Sequence, residues 1–469
     1  LTLRHTPIQA ALAATLAIAL LPTAAGAQAA GQPGMPTGST PPMQTMPTAP
    51  GTPAPNMPGT AAPGMQTMPG TQTSTPRMQT MPGIPPPNAQ ATPQAPPRRI
   101  SIGSGLDSIP RGTQPGTLET FAAIGGKTPI GITLSQDGRV FMSFPRAMDP
   151  GAYSVAEIVN GKPVPYPNAA INRYGGGAQS GKLVSVQGLT IDKQGRLWLL
   201  DSGVIGTKPT KYGGPKLLAV DLKTNKIIKN IVFDRDIAGP DAYLNDVRVS
   251  LETGKAGTAF ITDSSEKGPN GLVVVDLATG KAMRRLNAHP STMAEPSFIG
   301  MAEGKTIVKR LPHKPPQKDQ TGADGIALSG DGKTVYYCPN QGLHLYGVSV
   351  AALADPTQTE AQVVQTVQDL GIKPGPSDGI ECDAEGHVYL TDWEHNAVYQ
   401  YTPGRSYQAV VQSPELIWPD SLAISQDGYL YITATQLNRQ AKYNNGVDVR
   451  HKPIKVYRIK LADAQPVLR

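Results

Sequence analysis

The sequence predicts an all-β fold, a six-bladed β-propeller over residues 117–461, and three observations carry that expectation. One strand-turn-strand unit recurs six times from Thr117 onward. Its turn glycines, Gly138, Gly195, Gly257, Gly332, Gly386 and Gly428, follow one another at steps of 57, 62, 75, 54 and 42 residues. Only strand-like runs lie between them, and a repeat of this length built from strands alone is the mark of a ring of blades. At about 40–50 residues per blade the length alone would allow seven or eight. The surplus falls in loop-like stretches at residues 203–214 and 287–319, so the count stays at six.

The first two units run from Gly131 to Arg146 and from Gly188 to Gly203. The third joins Asn245–Val249 to Gly257–Asp263, the fourth Asp324–Leu328 to Thr334–Cys338, the fifth Asp378–Cys382 to Val388–Asp392, and the sixth Asp420–Ile424 to Tyr429–Thr433. Asp beside Gly favours tight hairpins, which assigns Asp137, Asp331, Glu385 and Asp427 to turn formation. Lys216–Asp221 and Gly271–Asp276 fit as further strands outside these pairs. Ring closure is expected between Ile454–Ile459 and Leu118–Ile124, since a closed ring leaves no strand edge free.

Ahead of the repeats, residues 1–27 have the layout of a bacterial-type export signal: Arg4 and His5, an apolar run from Ala10 to Leu21, then Ala25-Gly26-Ala27, with cleavage before Gln28. That apolar run is shorter than the ~20 residues a membrane span needs, and no later segment approaches it. An exported protein, periplasmic or extracellular, follows. Residues 28–99 are Pro, Gly, Thr, Gln, Ala and Met with almost no charge, a composition that cannot offset its own ordering entropy and reads as a disordered linker. Met-Gln-Thr-Met-Pro recurs there at Met43–Pro47, Met65–Pro69 and Met78–Pro82. Thioethers are soft ligands, so weak Cu(I) capture by these methionines competes with simple duplication of a spacer.

Composition excludes several function classes. The formal net charge of +7 is scattered, with no basic run able to follow a phosphate backbone, so no nucleic-acid partner is expected. Cys338 and Cys382 are the only cysteines and lack Cys-x-x-Cys spacing, which leaves either a disulfide or, as the favoured reading, two small buried residues in neighbouring blades. No Gly-x-Ser-x-Gly elbow, phosphate-binding Gly loop or His-x-x-x-His spacing occurs. A monomer is expected.

Chain geometry then sorts the polar residues. Within each unit the innermost strand crosses the disc, turns at its Gly and returns, so residues before the first strand and after the second share one face. Asn245, Asp324, Asp378 and Asp420 fall at the channel mouth on that face, with Trp393, His395 and Gln436 on loops beside them. Three carboxylates and an amide repel one another unless a cation sits among them. Hard oxygen donors suit a divalent cation such as Ca²⁺, and the ammonium of an amine ligand is the other candidate. Capping of strand ends by these side chains is the competing structural reading. For catalysis, Asp378 is the candidate general base and His395 a second polar group.

Several of these stretches resemble, in order and spacing, the yellow/major royal jelly protein family: Gly131-Ile-Thr133 with Val140–Arg146, Asn245–Val249, Ile326–Ser329 with Tyr336-Tyr337, and Trp418–Leu422 leading to Tyr429–Tyr431. The resemblance covers Thr117 to Leu461. It implies an exported six-bladed propeller whose central tunnel holds biogenic amines in some insect members, with dopachrome tautomerase activity assigned to some and no known reaction to others. Ser377–Gly386 is similar to the gluconolactonase/regucalcin family as well, which implies that Asp378, Asn245 and Asp324 ligate a divalent metal for lactone hydrolysis. Pro129-Ile-Gly131 departs from that pattern by offering no Glu. The expected function is therefore a small aromatic or amine-bearing ligand in the channel, with tautomerase chemistry as an extension. A metal-dependent lactonase and a non-catalytic protein-interaction platform are the alternatives.

Overall fold

The computed structural model describes residues 117–467 apart from 176–177, 207, 209, 211–212 and 463. The expected export signal, the linker and its methionine repeats lie outside the described residues. Within them, six four-stranded antiparallel sheets form the six expected blades. Blades one to five take their strands consecutively. The sixth combines Pro419–Ile424, Tyr429–Ala434 and Ile454–Lys460 with the first strand of the ring, Glu119–Ile124. Glu119 faces Arg458 and Ile124 faces Ile454, which is the expected closure to within a residue at either end.

The turn chemistry follows the sequence. All six turn glycines have φ between 71° and 103°, a region costly for any residue with a Cβ. In blades one, four and six the hydroxyls of Ser135, Ser329 and Ser425 hydrogen-bond to Asp137, Asp331 and Asp427. Blades two and five use an aspartate three residues before the glycine instead. Asp192 accepts from the Arg196 Nε and Trp198 Nε1 groups, and Asp383 from the His387 backbone and the Tyr389 hydroxyl. In blade five the anchoring carboxylate is thus Asp383, with Glu385 exposed at the tip.

Two regions are more structured than loops. Residues 287–319 carry two short ribbons, Met301–Ala302 with Lys305–Thr306 and Val308–Lys309 with Gln317–Lys318. Blade four inserts two short helices, Val350–Ala354 and Glu360–Val364, before its outermost strand; Ser349 caps the first, and Thr359 with Gln362 forms a capping box on the second. The core lies between adjacent blades. Cys338 and Cys382 share one such layer between blades four and five, both as free buried thiols, as the favoured reading expected.

Toward the axis, each innermost strand opens with the same pair of positions: Ile130-Gly131, Gln187-Gly188, Asn245-Asp246, Asp324-Gly325, Asp378-Gly379 and Asp420-Ser421. The second position is Gly or Ser in five blades, Asp246 being the exception, because neighbouring blades touch there. A Cβ on Gly325 would stand 2.6 Å from the Asp378 carbonyl oxygen, and one on Gly379 2.3 Å from that of Asp420. Hydroxyls on the second strands tie the blades together at this level: Thr262 donates to the Asp324 carbonyl (2.6 Å), Ser143 to that of Gln187 (2.6 Å) and Thr433 to that of Ile130 (2.9 Å). Gly379→Ala is therefore expected to lower unfolding free energy by about 1–3 kcal/mol through forced separation of two blades. Gly125→Ala, which meets open space, is the control. Equal urea midpoints for the two variants would refute the tight inter-blade contact.

Candidate functional site

The six first positions of those pairs meet at the axis, and five of them, all but Ile130, floor a cavity of about 1090 Å³ on one side of the disc. Asn245, Asp324, Asp378 and Asp420 all line it, so the four residues singled out by their place in the repeat are brought together. The three carboxylates are at most 6% exposed. Blade two adds Gln187 and blade one Ile130, which makes one side of the narrow axial pocket below apolar.

A continuous chain of hydrogen bonds orders the floor. Tyr243 donates its hydroxyl to Gln187 Oε1 (2.8 Å), and Gln187 Nε2 donates to Asn245 Oδ1 (3.1 Å). Asn245 Nδ2 in turn donates to Ser264 Oγ (2.9 Å) and Asp324 Oδ1 (2.5 Å). Trp418 Nε1 donates to Asp378 Oδ2 (2.6 Å), and the Asn340 side chain bonds to both Asp324 and Asp378. Burial, followed by mutual repulsion with Asp378 and Asp420, pushes the Asp324 carboxyl well above the usual carboxylate range. Asp420 is raised by burial and then by Asp378. Asp378 is pushed up by burial to about 6, held there by its hydrogen bonds from Trp418 and Asn340.

One step deeper, Arg248 lies across the axis. From the innermost strand of blade three its guanidinium reaches Asp246 Oδ2 (2.9 Å) and, on blade five, Glu381 Oε2 (3.2 Å) and the Ile380 carbonyl (3.0 Å). Burial raises the Asp246 and Glu381 carboxyls, while their two charges outweigh the burial of Arg248 and hold it protonated. At this level a buried charge bridge therefore ties blades three and five together.

The walls come from loops outside the repeats. Trp418, at φ 54°, stacks on Trp393 at 4.4 Å and 7°, with Tyr443 6.5 Å beyond on a similar plane. The Tyr443 hydroxyl donates to Asp319 Oδ2 (2.5 Å). Its neighbour Lys442 stands 3.4 Å from Glu266 and 4.0 Å from Asp319. Arg450 pairs with Asp149 (2.8 Å), binding the blade-six loop to blade one.

Three expected site residues are placed elsewhere. Trp393 is fully buried behind Trp418 and backs the wall without lining it. Gln436 hydrogen-bonds the backbone of His451 in both directions and fixes the entry of the blade-six loop. His395 sits on the turn between the second and third strands of blade five, its Nδ1 2.7 Å from Asp392 Oδ2, and lines neither cavity, because that turn is radially outside the innermost strands. The residues not foreseen are Gln187, Tyr243, Trp418, Lys442 and Tyr443. Gln187 occupies the same repeat position as Asn245, a signal already in the aligned units; Lys442 and Tyr443 belong to a non-repeating loop that gives none.

The donor set fits a divalent cation poorly. Ile130 supplies no oxygen, Asn245 turns its nitrogen toward Asp324 while its oxygen is taken by Gln187, and among the described residues no group of three His, Cys, Asp or Glu side chains is arranged to hold a metal ion.

Comparison with known proteins assigns the chain. The major royal jelly protein family profile matches residues 184–467, from blade two to the last described residue. The chain is 29% identical to major royal jelly protein 1 of Apis mellifera over 192 residues, covering 39% of this chain and 40% of that protein. It is 27% identical to protein yellow of Drosophila erecta over 292 residues, covering 58% and 47%. The chain thus spans less than half the length of these curated relatives. Among solved structures, a calcium-binding protein, regucalcin, from Agrobacterium tumefaciens aligns at a TM-score of 0.44 and 17% identity, covering 76% of this chain and 98% of that one. A putative gluconolactonase aligns at 0.45 and 14%, covering 78% and 97%. With the repeats, the closed ring and a profile match over well over half its length, this chain belongs to the major royal jelly protein family.

Proposed function

We propose that the propeller binds a small organic cation carrying an aromatic ring, with the ammonium on Asp324, Asp378 and Asp420 and the ring against Trp418 and Tyr443. The observation that carries this reading is the floor itself. Three buried carboxylates share one cavity, none forms an ion pair among the described residues, and burial raises all three, with repulsion from Asp378 adding to it at Asp324 and Asp420. A cation arriving there relieves that repulsion in a site of low dielectric, and the flanking aromatic faces add cation–π and stacking energy. A cavity of about 1090 Å³ has room for such a ligand.

A second reading, tautomerisation, draws support from one group. Asp378, at about 6, is matched to proton abstraction near neutral pH, and a proton shared with the adjoining Asp324 could be returned to the enolate. The lactonase and platform readings have less behind them, the first for want of a fitting metal donor set.

Binding is tested by thermal unfolding of the full chain with phenethylamine or Ca²⁺. Phenethylamine at a hundred times its Kd adds about 2.7 kcal/mol of stability and raises Tm by a few degrees. Millimolar Ca²⁺ is expected to leave Tm in place. The reverse pattern would replace the organic cation by a metal, and no shift with either would remove the floor as a binding site.

A further inference from the structure

The charges above the floor are of opposite sign to those in it. Six basic side chains line the cavity wall, Lys208, Lys267, Lys309, Lys318, Lys442 and Arg450, against four acidic ones, Asp149, Asp241, Glu266 and Asp448, so the wall carries a net positive charge over a negative floor. Half of these pair with one another: Lys267 with Asp241, and Arg450 with Asp149 and Asp448. The imbalance gathers at one side, where Lys309 and Lys442 share Glu266. There Lys318 also donates to the carbonyl oxygens of Glu295 (2.8 Å) and Pro296 (2.6 Å).

Lys442 lines the same cavity as the floor carboxylates. Its side chain is 36% open, and its positive charge acts on the Asp378 carboxylate. Burial works against its charge, but Tyr443, Asp319 and Glu266 outweigh this and keep it protonated. A bare amine placed on Asp378 would therefore share the cavity with a fixed ammonium whose charge already acts on that carboxylate. A ligand whose own ammonium sits next to a carboxylate meets both: the ammonium faces the floor and the carboxylate faces Lys442, where charge-assisted hydrogen bonds are strongest.

We propose that the ligand is an α-amino-acid-like zwitterion with an aromatic side chain, its carboxylate received by Lys442 beside Lys309. This rests on the organic-cation reading above and narrows it to one substrate class. The Trp418–Tyr443 wall then holds the aromatic side chain, and Lys442 acts as the specificity residue that separates amino acids from decarboxylated amines.

Calorimetric titration of the full chain at pH 7.5 with phenylalanine, phenethylamine and 3-phenylpropionate tests it. Phenylalanine is expected to bind at least about tenfold tighter than phenethylamine. Lys442→Gln should abolish that preference, weakening phenylalanine and tightening phenethylamine, whereas Lys442→Arg keeps it. Phenethylamine binding as well as phenylalanine in the wild type, or a preference that survives Lys442→Gln, would overturn the proposal while leaving the organic-cation site standing. Equal binding of 3-phenylpropionate and phenylalanine would overturn it by removing the ammonium's role. If none of the three binds, the organic-cation reading itself falls.

Discussion

Arg248→Met is expected to cost about 3–5 kcal/mol of folding stability, read as a lowered urea midpoint at unchanged slope. The reason is not the loss of attraction as such. Asp246 and Glu381, each already raised by burial, would be left facing each other with no cation between them. The matching control is the triple variant Arg248→Met, Asp246→Asn, Glu381→Gln, which removes the charges together and should recover most of the loss. If the single variant is as stable as the triple, Arg248 does not hold the buried charge bridge together.

The second large effect is a dependence on pH with an unusual sign for a carboxylate. In the unfolded chain Asp378 titrates near its ordinary 3.8, and in the folded protein near 6. Between those values the native state holds more protons than the unfolded one, so stability falls as pH rises through the window. The difference corresponds to about 2–3 kcal/mol lost by pH 8 relative to pH 4. Asp324 and Asp420 move in the same direction. Asp378→Asn should therefore raise Tm at pH 8 and leave it little changed at pH 4, while losing amine binding and any tautomerase turnover. A wild-type Tm that climbs from pH 5 to pH 8, with Asp378→Asn following it, would show that the floor is already neutralised by something bound. Stability and function pull apart at this position, as expected where like charges are held together for a ligand.

Much of this architecture was legible in the repeats. The six Gly turns gave the blade count, and the hydrophobic runs gave the strands. Because a propeller places equivalent residues at equivalent radii, the position of Asp324, Asp378 and Asp420 in their units was enough to gather them at the axis. The same reasoning would have found Arg248 and Glu381: they occupy one repeat position, where other blades carry Thr133, Thr190, Ala327 and Ala423, and their opposite charges point inward from blades three and five. His395 was misplaced because sharing a face is not sharing a radius. What could not be read was the wall. Lys442, Tyr443 and the ribbon bearing Lys309 and Lys318 lie in segments without a repeat, and their approach to Asp378 is fixed by contacts such as Arg450 with Asp149 that span some 300 residues. The stacking of Trp418 on Trp393 likewise depends on two loops of different blades meeting.

The pairing of Glu119–Ile124 with Ile454–Lys460 has a consequence for how the molecule is made. The first strand of the ring finds its partner far along the chain, Glu119 and Arg458 being 339 residues apart. The strand at the start of the ring works as a latch, completing the last sheet and with it the closed ring. The proposed hub site, which takes Asp420 from the last blade, is complete only when that sheet is complete.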